Sequence, residues 1–265
     1  MDRREFIRSA GVTAVAVGAA GCSTTDSGGG TGGGGEYPFP SVPESALDGW
    51  TLADRRAEDE RRRFGGVGVD QHTRTEVYEF ARLSEEVAEK TLGQFEGEMG
   101  AFFASRTAFE GYAASLVGAE RVAETGLEEM TAEMESMGMM DVRRVEPRDP
   151  RPTVTDGQAF REVSGTYPVE DVSFETELPG DARQTFEIEG GEVSVRGFLA
   201  AWMPDWNTAY VAGGAYPDGD FERESVESVT GGERGDGIDV TVNVDLNLDP
   251  EAYREELIGL VERVE

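Results

Sequence analysis

His72 is the only histidine in the chain, and it stands in an alternating run with Arg74 and Glu76. An imidazole beside a carboxylate can serve as a general base. In a strand-like run the same residue reads more simply as a surface histidine. One histidine and one cysteine in 265 residues leave no ligand set for a His/Cys metal centre. Asn243, Asp245, Asn247 and Asp249 carry oxygen ligands, but they alternate along a strand and lack the glycine turn of a calcium loop. They read as a wet sheet face, and Asp218-Gly219-Asp220 reads as a turn. Glycosidase chemistry needs two carboxyls at a set separation. With 54 acids, any fold brings some pair to that distance by chance, so no pair can be singled out. Met130, Met134, Met137, Met139 and Met140 hold thioethers suited to copper(I). Three of the five lie on the inward stripe of a helix, where methionine fills core gaps. The sequence contains no G-x-S-x-G, phosphate-binding loop or H-E-x-x-H. Its G-x-G-x-x-G matches fall in a glycine-rich linker with no strand before them. No catalytic residue, metal site or cofactor is expected.

The segment that most suggests recognition is Trp202-Met203-Pro204-Asp205-Trp206, followed by Ala209 to Pro217. It reads as a hairpin turning at Pro204-Asp205. Aromatics stand at the strand ends, and Gly213-Gly214 marks a place of close backbone approach. Trp50, Trp202, Trp206, Tyr210, Gly213, Gly214 and Tyr216 form the candidate binding patch, since aromatics rimming a sheet make a docking surface. The competing reading is hairpin packing with a bulge at the glycines.

Elements to position these residues follow from periodicity. Trp50 to Phe80 reads as two strands joined near Gly65-Gly66. A short helix capped by Ser84 runs to about Leu92, and a strand covers Phe102 to Phe109. The clearest helix spans Ala119 to Met137, with Ala119, Ala123, Leu127, Met130, Met134 and Met137 at intervals of three and four, and Gly138 as its stop. Strands follow at 139–146, 158–167, 171–177, 183–189, 193–203 and 207–215. From Asp239 to Leu248, Val240, Val242, Val244, Leu246 and Leu248 alternate with polar residues, a one-side-covered strand. Asp249 and Pro250 then open a final helix. The expected class is α+β: a curved antiparallel sheet with the long helix and the C-terminal helix packed on one face.

Charge bounds the partners. Lys and Arg total 24 against 54 Asp and Glu, a net charge of −30, and Lys90 is the only lysine. The acids are spread along the chain, which fits a solvated surface rather than an acidic tail. In dilute buffer that surface repels itself, whereas at 1 M salt the Debye length falls to roughly 3 Å. Adaptation to brine is expected. Nucleic acid is excluded as a partner, because a phosphate backbone needs a basic footprint. The one dense candidate, Arg61-Arg62-Arg63, is flanked by Asp54, Glu58, Asp59 and Glu60.

The start of the chain carries an address. Arg3-Arg4-Glu5-Phe6-Ile7 resembles a twin-arginine export motif, and Ser9 to Ala20 is an uncharged run of signal-peptide length, too short to span a bilayer. Ala19-Ala20-Gly21-Cys22 resembles a lipobox, with alanine where leucine is usual, and Cys22 is the only cysteine. Ser23 to Gly35 is a flexible tether reaching about 20 Å by random-coil scaling, and Pro38, Pro40 and Pro43 extend it. Together with the single-lysine acidic composition, this leader resembles the twin-arginine lipoproteins of haloarchaea. The resemblance implies residues 1–21 as signal peptide, 22–45 as lipidated tether, and 46–265 as one domain. It also implies attachment through Cys22 to the outer face of the cytoplasmic membrane. At fold level the element plan resembles the Mog1/PsbP-like sandwich, which does not fix function. Three functions remain open: a non-enzymatic module binding a protein partner or small ligand, a carboxylate-based hydrolase, and a structural envelope protein.

Overall fold

A computed structural model describes residues 37–64, 67–91, 99–111, 117–155, 157–169, 171–178, 182–230 and 237–265. The chain is α+β. Seven strands form one antiparallel sheet: β1 (Thr51–Phe64), β2 (Val67–Glu79), β3 (Ala101–Glu110), β4 (Met140–Val145), β5 (Ala159–Val169), β8 (Gly191–Asp205) and β9 (Thr208–Pro217). Their spatial order is β1-β2-β3-β9-β8-β5-β4. Two further ribbons stand apart from it, β6 (Val172–Leu178) with β7 (Ala182–Ile188), and β10 (Glu222–Thr230) with β11 (Gly237–Asp245). Three α-helices complete the described fold: α1 (Ala81–Lys90), α2 (Ala119–Ser136) and α3 (Pro250–Val261).

The expected placement of both long elements on one face is where the structure differs. Ala123, Leu127, Met130 and Met134 of α2 pack with Phe103, Leu199 and Val211. Tyr253, Leu257, Leu260 and Val261 of α3 pack with Phe102, Phe198, Ala200 and Ala212, together with Leu83 and Val87 of α1. Successive strand residues point to opposite faces, so α2 covers one side of the sheet and α1 with α3 the other. The physical reason lies in the central strands. Residues 101–105 and 197–202 are buried without interruption, as are 211–217, and such runs belong to a sheet covered twice.

Two smaller differences have local causes. The short helix begins at Ala81, a turn before Ser84, because Phe80 is fixed first: its ring stacks on Trp50 at 4.4 Å, and its carbonyl accepts from the Ser84 amide at 3.1 Å. The strand expected over 239–248 pairs only with β10, a strand the sequence reading did not anticipate, and ends at Asp245. Beyond it Leu246 is buried and Leu248 packs against the core. Asp249 caps α3 as expected, its Oδ1 accepting from the Ala252 amide at 3.1 Å.

The chain enters the fold before residue 46. Ser41 and Glu265 exchange backbone hydrogen bonds of 2.8 and 2.9 Å, and Val42, Ala46 and Leu47 pack on the core. The last proline-rich part of the expected tether therefore lies against the domain. No helix among the described residues is long and apolar enough to cross a membrane.

Candidate functional site

Beneath the first turns of α2, the sheet presents polar side chains where its centre presents apolar ones. Thr73 and Thr75 of β2 stand directly across from Thr107 and Ser105 of β3. Their hydroxyls bond pairwise, Thr73 to Thr107 at 3.0 Å and Thr75 to Ser105 at 2.7 Å. Such cross-strand hydroxyl pairs suit β-branched residues on a pleated surface. The Gln71 side-chain amide donates to Glu60 Oε1 and continues the ladder. Arg121, Thr125 and Glu129 of α2 roof this ladder, Glu58 and Glu60 of β1 close one side, and Phe109, Val117, Val122 and Val211 supply apolar wall. The cleft holds about 80 Å³. Pockets for whole drug-sized ligands run to about 300–1,000 Å³, so this cleft admits one side-chain-sized group. Hydroxyls that give or accept and carboxylates that accept converge there beside Arg121, which suits a polar group carrying N–H or O–H donors.

A second polar constellation lies on the α3 face. The carboxylate of Glu162 is fully buried and is surrounded by three arginines. Its Oε1 accepts from Arg196 at 3.0 Å and from Arg254 at 3.1 Å, while Oε2 accepts from Arg254 Nη2 at 3.2 Å and the Arg148 amide at 3.0 Å. Asp218 joins Arg148 at 2.7 Å to Arg196 at 2.9 Å. The Tyr216 hydroxyl accepts from both Arg148 and Arg254, at 2.9 and 3.0 Å. Arg254 also donates to the carbonyls of Arg148 and Pro150, and its guanidinium lies over the Phe198 ring at 5.3 Å. These bonds tie α3, the connection after β4 and strands β5, β8 and β9 to a single point. A buried charge needs such pairing, and the cluster reads as a clasp.

His72 sits half-buried at the outer edge of the sheet. Tyr37 stacks on its ring at 4.0 Å, and Asp59 Oδ1 lies 2.8 Å from its Nδ1 and 2.9 Å from Arg74 Nη1. Hydrogen bonds from His72 and then Arg74 hold the Asp59 carboxyl below the usual carboxylate range. Glu124 is likewise lowered, by hydrogen bonds from Arg144 and Arg161. Burial, followed by the hydrogen bond its hydroxyl gives to Glu76 at 2.6 Å, raises the Tyr78 phenol.

The seven residues of the sequence-derived patch do not converge on one surface. Trp50 is buried, with its indole N–H donating to Glu256 at 2.8 Å. Trp202 is buried and stacks on Tyr210 at 5.4 Å. Tyr216 belongs to the arginine clasp. Gly213 and Gly214 allow strands and helix to close up: a Cβ would stand 2.1 Å from Phe198 O at the first, and 2.2 Å from Ala101 O at the second. Trp206 alone is open, 61% exposed at the hairpin tip. Of the methionines, Met130 and Met134 are core, while Met137 and Met139 line a small apolar cleft with Met99. Asn243 and Asp245 belong to the β11 ribbon, Asn247 to the connection after it, and Asp249 caps α3. Among the described residues, no three His, Cys, Asp or Glu stand together as a metal group. Arg3, Arg4 and Cys22 lie outside the described residues.

The sequence reading missed both the hydroxyl ladder and the clasp. Thr73, Thr75, Ser105 and Thr107 carry a faint signal, polar β-formers alternating inward on two adjacent strands. Arg148, Glu162, Arg196 and Arg254 meet from distant parts of the chain and leave no local pattern. No curated protein and no solved structure matches the chain. A family model, described as a domain of unknown function (DUF6517), matches residues 39–265. That span takes in the strap paired with Glu265, the seven-stranded sheet, the cleft and the clasp, and the chain belongs to the DUF6517 family.

Proposed function

We propose that this chain is a non-enzymatic binding module held on the outer face of the cytoplasmic membrane of a brine-living cell. The twin-arginine motif at Arg3-Arg4 directs its export, lipid on Cys22 holds it, and the glycine tether sets the domain off the surface. Recognition takes place in the cleft beneath α2. The observation that carries this reading is the ladder of paired hydroxyls from Thr73 to Thr107, with Glu58, Glu60 and Glu129 around it. Acceptors preorganised on rigid strands suit an amine or a sugar hydroxyl, presented by a small ligand or by a partner protein. The hydrolase reading needs acids poised for proton transfer. Asp59 and Glu124 are instead pushed down by hydrogen bonds from cationic neighbours, and neither lines the cleft.

Two measurements test the proposal. Recovery of a bound amine or glycan from chain purified in molar salt, weakened about tenfold or more by Thr107→Val with the fold intact, supports the cleft. Equal retention by wild type and Thr107→Val moves recognition elsewhere. For the anchor, Cys22→Ser is expected to shift the protein from the membrane fraction to the soluble fraction. An unchanged distribution contradicts lipid attachment.

A further inference from the structure

Three features meet at one edge of the sheet. The described chain begins at Tyr37, whose hydroxyl donates to Glu110, the last residue of β3. At the same end of β3 the Phe109 amide donates to Asn207 O at 2.8 Å, which seats the β8–β9 tip beside it. In the sheet register Glu110 faces Asp70, and Asp70 faces Arg61. Strand β1 then runs on past this level through Arg62 and Arg63, paired with Val69 and Gly68. Tyr37, the first described residue, therefore stands at the end of the sheet that carries the β8–β9 tip and the arginine-bearing end of β1.

What sets this end apart is one exposed indole. Trp206 has the largest exposure among the exposed large apolar side chains of the described residues. It follows the exposed Pro204, and the Asp205 carboxylate beside it is turned back onto the Asn207 amide at 3.0 Å. Arg61 is 69% exposed, with Asp70 at 3.6 Å. Arg61 and Trp206 are exposed at this end together with the carboxylates of Asp70, Glu110 and Asp205. Indole rings with an apolar body and an N–H favour the headgroup region of a bilayer, and arginine favours lipid phosphates.

We propose that this sheet edge faces the membrane, with Trp206 seated in the lipid headgroup region. The inference rests on the anchor reading above. A tether of about 20 Å keeps the tip at high effective concentration over the bilayer, so one indole contact suffices where it would be too weak for free protein. The opposite end of the sheet, with Pro217 and the start of β3 at Ala101, then points outward.

The test holds the full chain, through an N-terminal hexahistidine tag, on phosphatidylglycerol vesicles doped with nickel-chelating lipid, in molar potassium chloride. Lipids carrying a nitroxide near the headgroup then report tryptophan contact. Trp50 and Trp202 are buried, so quenching confined to one emission component is expected, and Trp206→Ala should remove at least four-fifths of it. Absent quenching, or equal quenching in wild type and Trp206→Ala, overturns the inference. Trp206 that stays open to aqueous iodide on the vesicle, as in solution, also overturns it and points to a protein partner at the tip. The chelating lipid replaces the native anchor, so failure of lipidation, read from Cys22→Ser in the host, is seen separately.

Discussion

Glu162 holds three arginines that nothing else in the described core neutralises except Asp218. Removing one partner of a buried pair leaves an uncompensated charge, which costs about 3–5 kcal/mol. Glu162→Ala is expected to lower the unfolding free energy by that amount in urea titrations at fixed molar salt. A loss within experimental error would show that water enters the site and hydrates the arginines. Gly214 tests packing at the same scale. A methyl there meets the Ala101 carbonyl oxygen at 2.2 Å and Leu257 Cδ2 at 2.8 Å. Gly214→Ala should therefore cost about 1–3 kcal/mol. Asp59 carries part of the pH dependence, beside Glu124. Its folded pKa lies below the ordinary 3.8, so its contribution is complete above that value and fades as pH falls through the lowered one. Asp59→Asn should remove a part of the acid-side loss of stability below about pH 4, while leaving the slope near neutrality unchanged.

At the scale of elements, α2 both closes a core and roofs the cleft. Gly126 lies inside this helix, where glycine costs about 1 kcal/mol relative to alanine. A Cβ there finds Val211 at 3.4 Å and Leu199 at 3.5 Å, ordinary contact distances. Gly126→Ala is expected to stabilise the protein by about 0.5–1 kcal/mol in the same titrations, and a loss would mean that the helix cannot keep its approach to the sheet. The α2 helix was legible in the sequence because its apolar stripe has one period and Gly138 stops it. Most strands were legible too, to within two residues at their ends, since alternation and turn residues are local signals. Both long helices were expected on one face, although the uninterrupted apolar runs FFA and GFLAAW already called for cover on both sides. The aromatic patch failed for a related reason. Trp50, Trp202 and Tyr216 are as suited to a core as to a surface, and only register separates the two. The clasp and the hydroxyl ladder depend on pairings between strands far apart in the chain, which no local pattern encodes.

At the scale of the whole molecule, charge tests the proposed adaptation to brine. With 54 acids against 24 basic residues, self-repulsion grows as screening falls. The melting temperature should drop steadily as salt is reduced from molar to 0.1 M. A flat response would remove the brine reading. The family match covers the folded part from residue 39 onward, and the account assigns recognition to that part and location to the segment before it. The central claim is recognition in the cleft under α2. The direct measurement is native mass spectrometry of the chain purified from its own host's membranes in molar salt, with wild type and Thr107→Val side by side. The account predicts a stoichiometric amine- or hydroxyl-bearing ligand or partner on wild type, and its loss from Thr107→Val. The same species on both, or a wild-type chain that comes away bare, would contradict it.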